Sequence, residues 1–226
     1  MKLTPRLEKI ASMIPNCNRI GDVGTDHAYI PVALVERNIV GRAIASDIVD
    51  GPVQNAKKTV ARYGMTESVE VRKGPGLAPY TIGEIQGVII AGMGGALIAD
   101  IIEADFELAK SLDFMILQPM IGQEVLRAYL EDKGFEIIEE HIETEGDKFY
   151  QILKVQVGTM EIKDTLLYEI GPLLAEQTDK KVKDFLSFKL QKYLKIKESI
   201  EKNSKEDNNE FLAEVNQKIK KLEELI

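Results

Sequence analysis

Residues 22–29 bring carboxylate, hydroxyl, imidazole and phenol side chains together in the order Asp-Val-Gly-Thr-Asp-His-Ala-Tyr. Asp22 closes a short apolar run. Gly24 lets the chain turn sharply, so the next backbone N–H groups are expected to face a ligand at a helix N-terminus. A turn with so little glycine suits a ligand without phosphates, such as S-adenosylmethionine, whose amino and sulfonium groups favour carboxylates. We therefore expect this cofactor to contact Asp22, Gly24, Thr25, Asp26 and His27.

The ends of the later predicted strands supply the rest of the expected cofactor site. Asp47 ends the second strand, where a carboxylate accepts hydrogen bonds from ribose hydroxyls, and Ile48 follows it. Gly74-Pro75-Gly76 after the third strand permits close approach of a flat adenine ring. Ala91-Gly92-Met93 after the fourth strand is expected beside the transferable methyl group. Gln118 ends the fifth strand, either as a polar group at the rim of the site or as an ordinary loop residue.

Strand and helix patterns alternate from residue 19 to residue 133. Apolar runs predict five strands, over 19–23, 43–46, 69–72, 87–91 and 114–117. Helical patterns lie between and after them, over 29–37, 52–63, 97–103 and 124–133. Such alternation indicates βαβ units and a parallel sheet that is covered on both faces.

Two further strand-like runs, 136–144 and 149–157, break this alternation. The connection between them is so short that it permits only an antiparallel hairpin. Five strands in βα alternation followed by an antiparallel pair predict an α/β fold. This arrangement resembles the Rossmann-like, seven-stranded sheet of the class I methyltransferases more than the sheet of the dinucleotide dehydrogenases.

Residues 160–226 have a different pattern, without a strand signal. Apolar side chains recur there at steps of three and four residues in two stretches separated by the polar segment 203–209. The residues of this stripe are Leu186, Leu190, Tyr193, Ile196, Ile200, Leu212, Val215, Ile219, Leu222 and Ile226. They predict two long antiparallel helices packed as a coiled-coil hairpin. We therefore expect a catalytic, cofactor-binding domain over 1–158 and a helical domain over 159–226.

The formal net charge of −8 argues against a nucleic-acid partner if the charge is taken as a whole, but it is unevenly distributed. Residues 1–73 carry a net charge of +3, whereas residues 74–158 carry −10. Residues 180–197 hold seven lysines and a single acid, Asp184. A phosphate backbone responds to local charge, so this run is either a solvated helix face or a surface for RNA.

Composition also bears on metal chemistry and location. Cys17 is the only cysteine, and His27 and His141 are the only histidines, so neither a disulfide within the chain nor a zinc site is expected. No apolar run approaches the roughly 20 residues of a membrane-spanning helix, and the first residues lack the apolar core of a secretory signal. We expect a cytoplasmic protein that binds no metal and no membrane.

The motifs in combination are more specific than any one of them. They are Asp22-Val-Gly-Thr-Asp-His-Ala-Tyr-Ile-Pro31, Gly51-Pro52, Val88-Ile-Ile-Ala-Gly-Met-Gly-Gly95, Ile116-Leu-Gln-Pro119 and Lys148-Phe-Tyr-Gln-Ile-Leu153. Together they resemble the bacterial tRNA (adenine-N1)-methyltransferases that modify adenine 22 of tRNA. The resemblance covers residues 1–158 and extends more loosely over the helical tail. Two positions depart from the family pattern, since Pro75 replaces a usual Asp and Met120 a usual Asn.

The resemblance implies an S-adenosylmethionine-dependent enzyme that methylates N1 of adenine 22 in tRNA. N1 of adenine has an available lone pair, so in-line positioning matters more than a strong base. The target base lies inside folded RNA and must be turned out of its stack. Asp26 is the expected catalytic carboxylate that stabilises the cationic product. Tyr29 is expected either to stack on the adenine or to fix its orientation. The RNA is expected to contact the tail lysines and Lys2, Arg6 and Lys9.

Two other functions stay open at this point. One is a small-molecule methyltransferase whose helical tail serves dimerisation. The other is a nicotinamide-dependent oxidoreductase or a cofactor-sensing binding protein. The dinucleotide fingerprint, however, fails at its last glycine, where Leu97 stands, and the segment follows the fourth strand instead of the first. For the tRNA enzyme we expect a monomer or a weak homodimer.

Overall fold

The computed structural model describes residues 1–202 and 209–226. The chain divides into two compact units, Met1–Ile162 and Lys163–Ile226. The domain boundary expected from the sequence, after residue 158, lies four residues before this division.

A seven-stranded sheet organises the first unit. Its strands are β1 Cys17–Val23, β2 Val40–Asp47, β3 Val69–Lys73, β4 Gly87–Met93, β5 Phe114–Pro119, β6 Phe135–Glu145 and β7 Lys148–Val157. Their order across the sheet is β3-β2-β1-β4-β5-β7-β6. Strands β1 to β5 pair in parallel, whereas β7 pairs antiparallel with both β5 and β6. The predicted class I methyltransferase sheet, including its terminal hairpin, is confirmed.

Helices connect the strands of this unit. They are α1 Pro5–Ser12, α2 Tyr29–Glu36, α3 Asp50–Arg62, α4 Gly95–Ala104, α5 Phe106–Lys110 and α6 Gln123–Asp132. The short α5 was not predicted, because five residues are too few to display a helical period. The predicted helices lie within one or two residues of their observed bounds, which is the usual uncertainty at frayed ends.

Burial on both faces explains why the central strands read as continuous apolar runs. Every residue of β5 is buried, and so are the last four residues of β1 and the first four of β4. Parallel strands that are covered by helices on both sides need apolar side chains at successive positions. The strand order reverses between β1 and β4, and this reversal opens a crevice at their carboxyl ends.

A buried polar network joins α6 to the β6–β7 hairpin. Arg127 on α6 donates from Nε and Nη2 to Glu140 Oε1 on β6, at 2.9 and 2.6 Å. Its Nη2 also donates to Gln151 Oε1 on β7 at 2.6 Å. All three side chains are buried. Charged groups are tolerated at such depth only where opposite charge and hydrogen bonds compensate their lost hydration.

The second unit is helical. It contains α7 Thr165–Ile170, α8 Lys180–Lys202 and α9 Asn209–Leu225, and α8 contacts α9. Most of the predicted apolar stripe is buried or half-buried, but Ile226 is 41% exposed and lies beyond the end of α9. The short helix α7, which Asp164 caps by accepting from Leu166 N at 2.9 Å, was not predicted. Residues 203–208 of the predicted polar loop lie outside the described residues.

Charged and polar side chains also hold the three helices of the second unit together. Glu169 on α7 accepts from Tyr193 Oη on α8 at 2.6–2.7 Å and from Lys218 Nζ on α9 at 2.9 Å. These partners hold the pKa of Glu169 below its usual range, although burial acts in the opposite direction. Across residues 1–202 and 209–226, the helices are all too short or too polar to cross a membrane.

Replacing Arg127 by Met should lower the free energy of unfolding by about 3–5 kcal/mol, because buried Glu140 would lose the opposite charge that compensates its desolvation. Urea denaturation followed by circular dichroism measures the loss. The matched control is Arg37→Met, which removes an exposed pair with Glu8. That control should cost much less. Equal losses in the two variants would show that the buried network does not stabilise the first unit.

Candidate active site

A cavity of about 350 Å³ lies at the carboxyl ends of β1 and β4. Eight of the residues predicted for the site line it: Asp22, Gly24, Thr25, Asp26, His27, Tyr29, Ala91 and Gly92. Arg6, Leu7 and Ile30 complete the lining. The structure therefore brings the loop after β1 and the end of β4 to one place, as expected where the strand order reverses.

Asp22 is the buried acid of this cavity. It is only 6% exposed, and Thr25 Oγ1 donates to its Oδ2 at 2.5 Å. Burial raises the pKa of Asp22 to about 7; the hydrogen bond from Thr25 opposes this shift, and the negative charge of Asp47 adds to it. A carboxylate in such a place gains most from a ligand cation, because a nearby positive charge favours its ionised form.

The turn after β1 differs from the expectation in one respect. The N–H groups of Gly24 and Thr25 both donate to the carbonyl oxygen of Ser46 on β2, at 2.9 and 3.0 Å. They therefore tie β1 to β2. The sequence had suggested that the N–H groups after Asp22 face a ligand, but these two do not. Gly24 has φ +70°, a left-handed conformation that glycine adopts without strain. The same conformation recurs at Asp26 (φ +44°) and Ala28 (φ +53°), which turn the chain into α2.

Asp26, His27 and Tyr29 form the exposed side of the cavity. Asp26 Oδ2 lies 3.5 Å from His27 Nε2, and the Asp26 side chain is 67% exposed. The His27 ring stacks on the Tyr29 ring, with centroids 5.0 Å apart and planes at 7°. A carboxylate thus lies beside an aromatic surface at the mouth of the cavity. This arrangement suits a flat ligand that carries or acquires positive charge.

The residues predicted for the ribose and the adenine ring lie outside the cavity lining. Asp47 Oδ1 accepts from Val49 N at 2.8 Å, and the Asp47 carbonyl accepts from Gly74 N at 3.1 Å. The ends of β2 and β3 are therefore joined at the same edge of the sheet as the cavity. Ile48 beside them is 61% exposed. The apolar side chain of Ile48 and the carboxylate of Asp47 are thus accessible at this edge, and Pro75 and Gly76 follow Gly74 there.

The end of β4 approaches the turn after β1. Gly92 has φ +81° and is exposed, and the pairing of β4 with β5 shifts between Ala91 and Met93. The Met93 methyl group occupies the space that a side chain at Gly24 would need. Met93 therefore packs over the turn and does not line the cavity, whereas Gly92 presents bare backbone to it.

Arg6 is placed differently from its sequence-based role. It was expected on the protein surface as a contact for RNA phosphates, but it lines the cavity. Its Nη1 donates to Gln118 Oε1 at 2.7 Å, and its guanidinium lies 5.3 Å from the centre of the Tyr150 ring. The Arg6 backbone N–H also donates to Glu145 Oε1 at 3.0 Å. Arg6 thus joins α1 to the ends of β5, β6 and β7.

Gln118 supports the fold around the cavity and does not line the rim of the cavity. Its side chain is fully buried. Its Oε1 accepts from Arg6, and its Nε2 donates to the Pro119 carbonyl at 3.0 Å, so the buried amide is hydrogen-bonded on both sides. Sequence patterns gave no signal for the pairing of Arg6 with Gln118, because the two residues are 112 positions apart. Met120, which follows, remains 42% exposed.

A buried polar layer below Asp22 was also missed. Tyr80 Oη and Ser46 Oγ lie 2.7 Å apart, and Tyr80 Oη donates to the Asp22 carbonyl at 3.2 Å. Burial raises the pKa of Tyr80, so it stays a neutral donor. This layer fixes the backbone of Asp22 from beneath. Tyr80 was not predicted for it, because a tyrosine outside any strand or helix belongs to no periodic sequence pattern.

Comparisons with known proteins agree with this geometry. A family model described as a methyltransferase domain matches residues 3–153. The tRNA (adenine(22)-N(1))-methyltransferase of Bacillus subtilis is 34% identical over 232 residues, covering 100% of this chain and 98% of that protein. The chain belongs to this methyltransferase family.

Solved structures extend the likeness to the whole fold. The crystal structure of the Bacillus subtilis M1A22 tRNA methyltransferase TrmK superimposes with a TM-score of 0.88 at 34% identity, covering 100% of this chain and 99% of that one. Streptococcus pneumoniae Sp1610 in complex with S-adenosyl-L-methionine gives a TM-score of 0.84 at 35% identity, and 99% of each chain is covered. The two departures from the family pattern, Pro75 and Met120, both lie at exposed positions near the sheet edge.

In the part of the chain that the structure describes, no group of three or more His, Cys, Asp or Glu side chains is arranged to hold a metal ion. The two histidines lie apart, His27 at the cavity and His141 on β6. Each lies within 4 Å of a carboxylate, Asp26 and Glu139 respectively.

The affinity for S-adenosylhomocysteine should rise about tenfold between pH 6 and pH 8, because the ionised fraction of a group with a pKa of about 7 rises by that factor. Only ionised Asp22 attracts the ligand amino group. Isothermal titration calorimetry at several pH values measures the affinity.

Asp22→Asn is the control for this prediction. The variant should bind more weakly at pH 8, and its affinity should vary little over the same range, because its amide does not titrate. A wild-type affinity that is flat from pH 6 to pH 8, or a variant with the same slope as the wild type, would contradict the role given to Asp22.

Proposed function

We propose that the protein transfers the methyl group of S-adenosylmethionine to N1 of adenine 22 in tRNA. The observation that carries this proposal is the cavity at β1 and β4. It joins a buried carboxylate, Asp22, to the more exposed side chains of Asp26, His27 and Tyr29, within a chain of the tRNA (adenine(22)-N(1))-methyltransferase family.

The cofactor fits the residues present. Asp22 offers a desolvated carboxylate to the amino group of its methionine end. Thr25 orients that carboxylate through its 2.5 Å hydrogen bond. Gly92 leaves the adjacent backbone bare, so that the sulfonium end can approach β4 without a side chain in the way. When bound, the cofactor supplies an electrophilic methyl group.

The nucleoside half of the cofactor is assigned to the ends of β2 and β3. Asp47 would accept hydrogen bonds from the ribose hydroxyls through the carboxylate oxygen that does not accept from Val49 N. Ile48, which is 61% exposed, would cover one face of the adenine ring. Gly74, Pro75 and Gly76 would bound its other side with backbone groups, since Pro75 brings no polar side chain.

The target adenine is assigned to the mouth of the cavity. Its N1 lone pair attacks without a general base, so the protein's task is to hold the ring in line and exclude water. The stacked rings of His27 and Tyr29 give the extruded base an aromatic surface. Methylation at N1 leaves the base cationic, and the Asp26 carboxylate would stabilise that charge as it develops.

The RNA backbone requires cations outside the cavity. Helix α8 of the second unit exposes six lysines, Lys180, Lys181, Lys183, Lys192, Lys195 and Lys202. Lys2 is exposed and Lys9 half-buried in the first unit. Such cations bind phosphates by releasing counterions, and the attraction is local in spite of the negative total charge. We further expect a cytoplasmic enzyme that acts as a monomer or a weak homodimer.

Mass spectrometry of tRNA nucleosides tests the proposal. Purified protein with S-adenosylmethionine should convert adenine to 1-methyladenine in a tRNA that has adenine at position 22. It should not modify the same tRNA with guanine at that position. Transfer to a small molecule but to neither tRNA would instead support the alternative, a small-molecule methyltransferase with a helical dimerisation tail.

Replacing Asp26 by Asn should lower the rate of methyl transfer about a hundredfold and change cofactor affinity little, because only the charge that stabilises the product is lost. Asn tolerates the left-handed conformation at this position, so the turn is retained. Single-turnover kinetics with saturating tRNA measures the rate, and calorimetry measures the cofactor affinity.

Asp100→Asn is the matched control for this variant. Asp100 is exposed on α4 and lies outside the cavity lining, so its loss should leave the rate unchanged. If Asp26→Asn is as active as this control, the carboxylate has no part in the reaction. A large loss of cofactor affinity would place Asp26 in cofactor binding alone.

A further inference from the structure

A second cavity, of about 390 Å³, shares a wall with the catalytic cavity. Leu7 and Tyr29 line both. The rest of its lining comes from the N-terminal residues before α1 and from the end of α3: Met1, Lys2, Leu3, Thr4, Thr59, Arg62 and Tyr63. Its volume lies within the range of small-ligand sites.

The lining of this second cavity differs in charge from that of the first. The catalytic cavity contains the acids Asp22 and Asp26 beside Arg6, whereas the second contains no acidic residue and two cationic side chains, Lys2 and Arg62. Two hydroxyl groups, two tyrosine rings and an apolar floor complete it. Cations and hydroxyls together bind phosphate oxygens, and tyrosine rings stack on nucleobases.

The cations of the second cavity are available for a ligand. Within the described ranges, neither Lys2 nor Arg62 forms an ion pair with the protein. Neighbouring cations behave differently, since the Met1 amino group pairs with Glu36 and Arg37 pairs with Glu8. Unpaired charges that converge on a concave surface favour an anionic ligand.

We propose that the second cavity binds the nucleotide next to the extruded adenine, with its base against Tyr63 and its phosphate on Arg62 and Lys2. This inference rests on the proposed function, because it assumes an RNA substrate. Tyr29 lies between the two cavities and contacts both nucleotides, so holding the neighbour also helps to hold the target base. The subsite binds and positions the RNA, and it takes no part in the methyl transfer itself.

Equilibrium binding of tRNA in the presence of S-adenosylhomocysteine tests the subsite. Arg62→Gln should weaken tRNA binding about tenfold, the value of one charge-assisted hydrogen bond. It should also reduce the slope of log affinity against log salt by about 0.7–0.9, the contribution of one phosphate contact. The affinity for S-adenosylhomocysteine should stay unchanged, because Arg62 does not line the catalytic cavity.

Two further variants give this test its controls. Arg42→Gln removes an exposed arginine of β2 that lies outside the cavity, and it should change neither the affinity nor the salt slope. Tyr63→Leu should weaken tRNA binding about tenfold through lost stacking, whereas Tyr63→Phe should restore it. Because Phe keeps the ring and the packing, the pair separates stacking from misfolding.

The outcomes distinguish this inference from the proposed function. If the wild type methylates tRNA but Arg62→Gln behaves like Arg42→Gln, the subsite is wrong and the function stands. Weaker binding by Arg62→Gln with an unchanged salt slope would also overturn the phosphate contact. If the wild type binds tRNA with the expected Arg62 effect but transfers no methyl group, the function is wrong, and only the contact of Arg62 with an RNA phosphate is supported.

Discussion

The Asp22 carboxyl group lies almost out of contact with water at the end of a parallel strand, and the site depends on this burial. A pKa of about 7 in place of 3.8 means that ionisation costs roughly 4 kcal/mol more here than in water. Burial of this carboxyl group therefore destabilises the unliganded fold progressively as the pH rises from about 3.8 to about 7. A cationic ligand group offsets that cost, so the same burial that strains the free protein favours binding of an amino group.

The surroundings of Asp22 show how the fold maintains this position. Thr25 bonds its carboxylate, Tyr80 bonds its carbonyl, and the N–H groups of the following turn are bonded to Ser46 on the next strand. The turn is therefore a rigid support and not an open set of donors. Specific recognition is left to its exposed side, where His27 and Tyr29 stack. A rigid buried half and an exposed aromatic half suit an enzyme whose chemistry needs positioning more than acid–base catalysis.

Sequence patterns predicted the sheet because its physical requirement is local. β5 is buried on both faces and is a continuous apolar run in the sequence. The four residues 145–148 between the two predicted strands 136–144 and 149–157 permit only a hairpin. The loop after β1 and the end of β4 were recognised from side-chain chemistry at strand ends. The shorter helices α5 and α7 were missed, because neither is long enough to show a period. The position of Arg6 in the cavity lining was not predicted, because an arginine near the start of a chain is usually interpreted as surface charge.

The sequence by itself determined the fold class, the expected cofactor and the loop that faces it, because alternation of strands, glycine turns and strand-end carboxylates are readable from neighbouring residues. The tertiary structure alone decided which distant groups complete the site. It turned Arg6 onto Gln118, placed Tyr80 beneath Asp22, and set an acid-free cavity beside an acidic one. Hydrogen bonds and shared walls between residues far apart in the chain leave no periodic signal, since they exist only once the sheet has brought its ends together.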